Sequence, residues 1–108
     1  MIMETFFQVT KITISMADIH IQRPHELGHT KARAAAEQVA LHLQEKYQLN
    51  YRWEGDSVQF KRTGVSGYLD VTDTEITLQV RLGFLLTPLR HQIEREIHSY
   101  IDSVFDSA

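Results

Sequence analysis

The six histidines are the side chains of this 108-residue chain best suited to chemistry near neutral pH, and three of them, His20, His25 and His29, fall in one short stretch. A metal site needs imidazoles spaced to share a helical turn or a strand face, usually with a carboxylate close by. His25 and His29 are four apart, but Gly28 lies between them, and no His-Glu-x-x-His pattern occurs. His42, His91 and His98 are scattered. The spacing predicts surface or capping histidines and neither a metal nor another cofactor. His25, beside Arg23 and ahead of Gly28, has two readings: it fixes the start of a helix, or with Arg23 it meets an anion.

Nucleophilic and acid–base chemistry find less support. There is no Gly-x-Ser-x-Gly elbow and no glycine-rich phosphate loop after a strand. Gly64-Val65-Ser66-Gly67 reads as a hairpin turn, with its serine placed by turn chemistry. In Trp53-Glu54-Gly55-Asp56 the two carboxylates would need burial to separate their proton affinities, and the segment reads as an aromatic core residue followed by a turn. Zero cysteines exclude thiol catalysis, thiolate metal sites and disulfides. Arg52, Lys61, Arg62 and Arg81, with Tyr68 among them, outline a single-strand nucleic-acid platform. Glu54, Asp70 and Glu75 dilute that charge, and a net charge of -3 offers no bulk attraction to phosphate backbones. No catalytic residue and no nucleic-acid partner is assigned.

The elements that would carry these side chains follow from periodicity. Residues 1–15 place Ile12 and Ile14 against Thr13 and Ser15, in phase with Met16, whereas Ile19 and Ile21 lie one residue out of that phase. The register break predicts an N-terminal extension over 1–15, able to form an extra strand, and a single α+β domain over 16–108. Glu4, Gln8, Thr10 and Lys11 interrupt the extension, which fits neither a secretory signal nor the ~18–20 apolar residues of a membrane span. The expectation is a cytoplasmic protein with no transmembrane segment.

A strand over 18–22 ends at Pro24, and a helix begins between Gly28 and Lys31. Ala32, Ala36, Val39, Leu43 and Tyr47 form its apolar stripe, while Arg33, Glu37, Gln44 and Glu45 form a wet face. Four alternating segments follow, marked by Leu49, Tyr51 and Trp53; Val58 and Phe60; Val65, Leu69 and Val71; and Ile76, Leu78, Val80 and Leu82. Their opposite face holds Arg52, Gln59, Lys61, Tyr68, Gln79 and Arg81. A last helix opens with Thr87 as cap and Pro88 in its first turn, and its inner stripe is Leu89, Ile93, Ile97, Ile101, Val104 and Phe105. Arg90 and Glu94 can pair on its outside. The predicted architecture is strand, helix, four-stranded meander, helix, with both helices on one face of an antiparallel sheet. Trp53 is expected in the core.

One stretch resists this scheme. Phe84, Leu85 and Leu86 are consecutive after Gly83, so a period-2 strand cannot turn all of them inward. At least one must reach solvent, a loop-packed cluster or a partner, which makes this corner the best candidate for apolar contact.

From residue 16 to its end the chain resembles a family of small bacterial proteins named for the polyhydroxyalkanoic acid system, or granule region. The resemblance is carried by Ile19-x-Ile21-x-Arg23-Pro24-His25-x-Leu27-Gly28, Ala32-Arg33, Trp53-Glu54-Gly55-Asp56, Phe60, Gly64-Val65-Ser66-Gly67 and Leu82-Gly83-Phe84-Leu85-Leu86-x-Pro88-Leu89-Arg90, in order. It implies an accessory protein of polyester storage and brings no catalytic residues with it. The functional expectation is a non-enzymatic binding protein that touches a polyester granule surface or a granule protein. Leu27, Phe84, Leu85, Leu86 and Leu89 are its candidate apolar contacts, and Arg23, His25 and Arg90 its candidate polar ligand contacts. The alternative is a carrier of hydroxyacyl or lipid-like molecules, with a cavity between helices and sheet. A homodimer through the polar sheet face is a further expectation.

Overall fold

A computed structural model describes residues 18–107 of the chain; the expected extension over 1–15 lies outside the described residues. In chain order the elements are β1 (Ile19–Pro24), α1 (Gly28–Tyr47), β2 (Asn50–Glu54), β3 (Ser57–Arg62), β4 (Val65–Val71), β5 (Glu75–Leu82), a 3-10 turn (Thr87–Leu89) and α2 (Arg90–Ser107). The strands form one antiparallel sheet in the order β1-β5-β4-β3-β2. Tight turns join β2 through β5, and α1 carries the chain from β1 at one edge to β2 at the other. This is an α+β fold.

Alternation decides which side of the sheet is covered. Ile19, Ile21, Val58, Phe60, Leu69, Ile76 and Leu78 are each no more than 3% exposed and share one face. Onto it α1 lays Ala32, Ala35, Ala36, Val39, Ala40 and Leu43, and α2 lays Ile97, Ile101, Val104 and Phe105. The alanines let the α1 backbone approach the sheet closely, because a methyl group adds little height. No polar or charged residue is buried among the described residues.

α1 and α2 run antiparallel and are clasped by side chains. Lys46 Nζ lies 3.0 Å from Glu96, the Tyr47 hydroxyl donates to the same carboxylate at 2.7 Å, and His42 stacks on Tyr100 with ring centroids 3.8 Å apart. Burial, then the Glu96 hydrogen bond and charge, push the Tyr47 phenol far above its ordinary value of 10.0. The hydrogen bond to Glu37 raises Tyr51, with burial and the Glu37 charge adding to it. Burial raises Tyr68, helped by the Asp70 charge. Glu96 is held below the usual carboxylate range, first by Tyr47 and then by Lys46.

These shifts make stability depend on pH in two opposite senses. A raised phenol keeps its proton in the folded chain where the unfolded chain has begun to lose it, so its contribution is intact below 10.0 and is lost as pH rises beyond that. Glu96 acts oppositely, contributing above the carboxylate range and losing its share as pH falls through it. The urea midpoint should therefore decline above about pH 10, the unfolded tyrosine range. Tyr47→Phe should flatten that decline in a denaturation series across alkaline pH. An unchanged slope would reject the Tyr47–Glu96 assignment.

Five sequence expectations change, the first at Leu89, which is not on the inner stripe of α2 but in the 3-10 turn ahead of it, 48% exposed. Trp53 is half-buried rather than a core residue, because β2 is an edge strand and the indole N–H needs a partner, which Glu37 Oε1 supplies at 2.8 Å. Glu37 and Arg33 are not a free wet face. Glu37 Oε2 also accepts from the Tyr51 hydroxyl at 2.8 Å, and the Arg33 guanidinium sits 4.0 Å from the Trp53 ring centroid. Thr87 does not cap α2; it lies inside the 3-10 turn, and its hydroxyl donates back to the Gly83 carbonyl at 3.3 Å. Arg90 turns to His91, 3.3 Å away, and not to Glu94.

Candidate functional site

The strand directions give the sheet two distinct ends. At the upper end β3 finishes, β4 begins and β5 runs out into residues 83–89; at the lower end β1 and β4 finish and β5 begins. This geometry divides the residues expected to act together. Phe84, Leu85, Leu86, Leu89 and Arg90 are at the upper end. Arg23 lies in the segment of β1 paired with Ile76 and Glu75, and His25 and Leu27 follow it, at the lower end. With about 3.4 Å of rise per residue, the length of β5 puts roughly 24 Å between the two groups.

At the lower end the polar candidates are engaged in holding elements together. Arg23 bridges Asp102 at 2.7 Å and Asp106 at 2.5 Å, tying β1 to the last turns of α2. The His25 Nδ1 accepts the Leu27 N–H at 3.1 Å, which leaves Nε2 as the donor to the Thr72 carbonyl at 3.0 Å. Both ring nitrogens therefore meet backbone, and the imidazole leans on Phe105 with centroids 5.8 Å apart. α1 has no side-chain cap of its own, and this histidine steadies the chain just ahead of it. Leu27 is partly buried against the core.

The lower end also joins residues that the sequence showed only as separate motifs. Arg33 donates to the Gly55 carbonyl at 2.7 Å and to Asp56 at 3.0 Å, and His29 Nε2 is 2.9 Å from the same Asp56 oxygen. The Asp56 carboxylate thus faces two basic side chains of α1 and is an anchor for the β2–β3 turn. Glu54, its suggested acid–base partner, pairs instead with Arg52 at 2.6 Å. Among the described residues no three His, Asp or Glu side chains gather as metal ligands.

The upper end is different in kind. Phe84 is 83% exposed, Leu85 78% and Leu89 48%, while Leu86 packs partly against the core. The Leu86 N–H donates to the Gly83 carbonyl at 2.9 Å, making Phe84 and Leu85 the two central residues of a tight turn, whose side chains point away from the chain. The turn is pinned from behind, since the Gly83 N–H donates to the Gly64 carbonyl at 2.6 Å and the Leu82 N–H to Asp18 Oδ2 at 2.7 Å. A Cβ at position 83 would lie 3.2 Å from the Gly64 oxygen, so two glycines allow this approach. The result is an apolar tip on a backbone-fixed mount. Arg90 follows it in the chain at the start of α2. Consecutive apolar residues were the signal that located this tip; the pinning by Gly64 was not legible.

Among the described residues no helix is long and apolar enough to cross a membrane. A family profile described as "Putative polyhydroxyalkanoic acid system protein" matches residues 19–105, which spans every strand, both helices to within two residues of the end, and the exposed tip. No curated protein and no solved structure matches the chain.

Proposed function

Because the chain belongs to the polyhydroxyalkanoic acid system protein family, we propose that it is a non-enzymatic accessory protein of bacterial polyhydroxyalkanoate storage, cytoplasmic and attached to granules through its Phe84–Leu85 tip. The observation that carries this reading is the exposure of two large apolar side chains on a turn held by backbone hydrogen bonds. Such a turn presents them without further ordering, which keeps the entropic cost of docking low. Leu89 and the open part of Leu86 widen the patch, and Arg90 borders it. The occupant is the polyester surface or a protein on it.

Covering Phe84 and Leu85 would stabilise a complex by about 1.5–3 kcal/mol for each side chain. Phe84→Ser with Leu85→Asp should then reduce sedimentation with polyhydroxybutyrate particles or isolated granules by at least about tenfold. The circular dichroism spectrum should not change, because neither side chain supports the core. Particles free of protein, compared with native granules, separate the two occupants. Equal sedimentation of variant and parent, or none by the parent, would end this reading.

The carrier alternative lacks a comparable observation. Val39, Leu43, Leu69, Leu78 and Ile101, each at most 1% exposed, occupy the space between helices and sheet where its ligand would sit.

A further inference from the structure

The uncovered face of the sheet is concave, enclosing about 660 Å³ above β2, β3, β4 and β5. Register arranges its side chains in rows across the strands. Lys61 is paired with Ser66 and Ser66 with Arg81, so these three form one row; Gln59, Tyr68 and Gln79 form the next. With strands about 4.8 Å apart, Lys61 and Arg81 stem from points roughly 10 Å from each other, with Ser66 between them. Their long side chains can close on a single anion above that serine. Neither Lys61 nor Arg81 forms a hydrogen bond or ion pair among the described residues, in contrast to Arg23, Arg33 and Arg52. The Tyr68 hydroxyl and the Gln79 amide, one row along, are likewise without hydrogen-bond partners among the described residues.

We infer that this concave face binds the carboxylate end of a short linear hydroxyalkanoate chain. Lys61 and Arg81 take the carboxylate in charge-assisted hydrogen bonds, with the Ser66 hydroxyl beneath it. Two residues along the strands, about 7 Å away, the Tyr68 hydroxyl and the Gln79 amide donate to the next oxygen-bearing unit of the chain. Tyr68 remains a donor over the whole physiological range, since burial and Asp70 raise its phenol. A volume of about 660 Å³ lies within the range of small-molecule sites. The demand for a carboxylate comes from the unpaired cations; the choice of hydroxyalkanoate rests on the family reading above. The site is on the side of the sheet away from the helices, and distinct from the granule-contacting tip.

The test is a titration of the whole chain with a hydroxybutyrate oligomer bearing a free carboxylate, followed by amide chemical shifts and calorimetry. Shifts should centre on Ser66, Tyr68, Gln79 and Arg81, and affinity should fall at least tenfold for the methyl ester of the same oligomer. The double variant Lys61→Gln, Arg81→Gln should lose binding to the same degree with unchanged thermal stability, and Leu85→Asp should bind like the parent. No binding, equal binding of acid and ester, shifts elsewhere, or acetate binding as tightly as the oligomer would each overturn the inference. So would a concentration-dependent doubling of mass removed by Arg81→Glu, which would assign the face to a second copy. Granule sedimentation without oligomer binding would overturn this site and leave the tip standing; oligomer binding without sedimentation would do the reverse.

Discussion

Phe60→Ala should lower folding stability by about 3–5 kcal/mol, the range for truncating a fully buried aromatic. Phe60 is 2% exposed on β3, on the covered face of the sheet. Its cross-strand partners explain why the upper part of the range is expected. On one side it faces Tyr51, with ring centroids 6.3 Å apart, and on the other Gly67, which has no side chain. Gly67 has no side chain to move into the place of the lost ring, so truncation leaves a void on the covered face. Chemical denaturation of parent and variant reads the difference directly. A loss near 1 kcal/mol would mean that the site collapses easily, and would contradict tight packing around Phe60.

Gly67→Ala should be comparably damaging, though it adds only a methyl group. A Cβ there would stand 2.3 Å from the Gln79 carbonyl oxygen and 3.0 Å from the Val80 Cα. Both are backbone atoms of β5, the neighbouring strand, and cannot rotate away. β4 and β5 would have to separate at the centre of the sheet, and overpacking that flexible side chains absorb for about 1–3 kcal/mol should here cost at least the top of that range. Phe60→Ala should not rescue the variant, because the obstruction is β5 backbone and not the phenyl ring; the double variant should be less stable than either single one. Recovery of stability in the double variant would place the clash elsewhere. Since Gly67 lies between Ser66 and Tyr68, a Gly67→Ala protein that still folds should also bind hydroxybutyrate oligomer more weakly.

Much of the architecture was legible in local pattern. Ile76, Leu78, Val80 and Leu82 alternate with polar residues, and a strand with one covered face is the structure that satisfies them. Ala32, Ala36, Val39 and Leu43 recur at helical spacing and are buried as that spacing requires. The run of Phe84, Leu85 and Leu86 exceeded what a strand could bury, and two of the three are indeed open to solvent. The family signature was readable too, because its motifs are contiguous words in the chain.

What local pattern did not contain was partnership. Arg23 and Arg81 look alike as arginines on strands, yet one is bound by Asp102 and Asp106 and the other has no partner among the described residues. Glu37 sits where a solvated helix face belongs, but the edge position of β2 brings Tyr51 and Trp53 to it. Leu27 and Phe84 are equally apolar and end on opposite sides of the molecule.

By itself, then, the sequence determined where the strands and the bodies of the helices lie, which side of the inner strands is covered, and that an apolar surplus follows β5. Those properties depend on neighbours within a few residues, where backbone geometry sets a period of 3.6 or 2. Only the tertiary structure decided which charges neutralise one another, which candidates share an end of the sheet, and why position 67 must be glycine. Those depend on strand register and on the crossing of α1 from one sheet edge to the other, which bring together residues as far apart in the chain as Arg23 and Asp106.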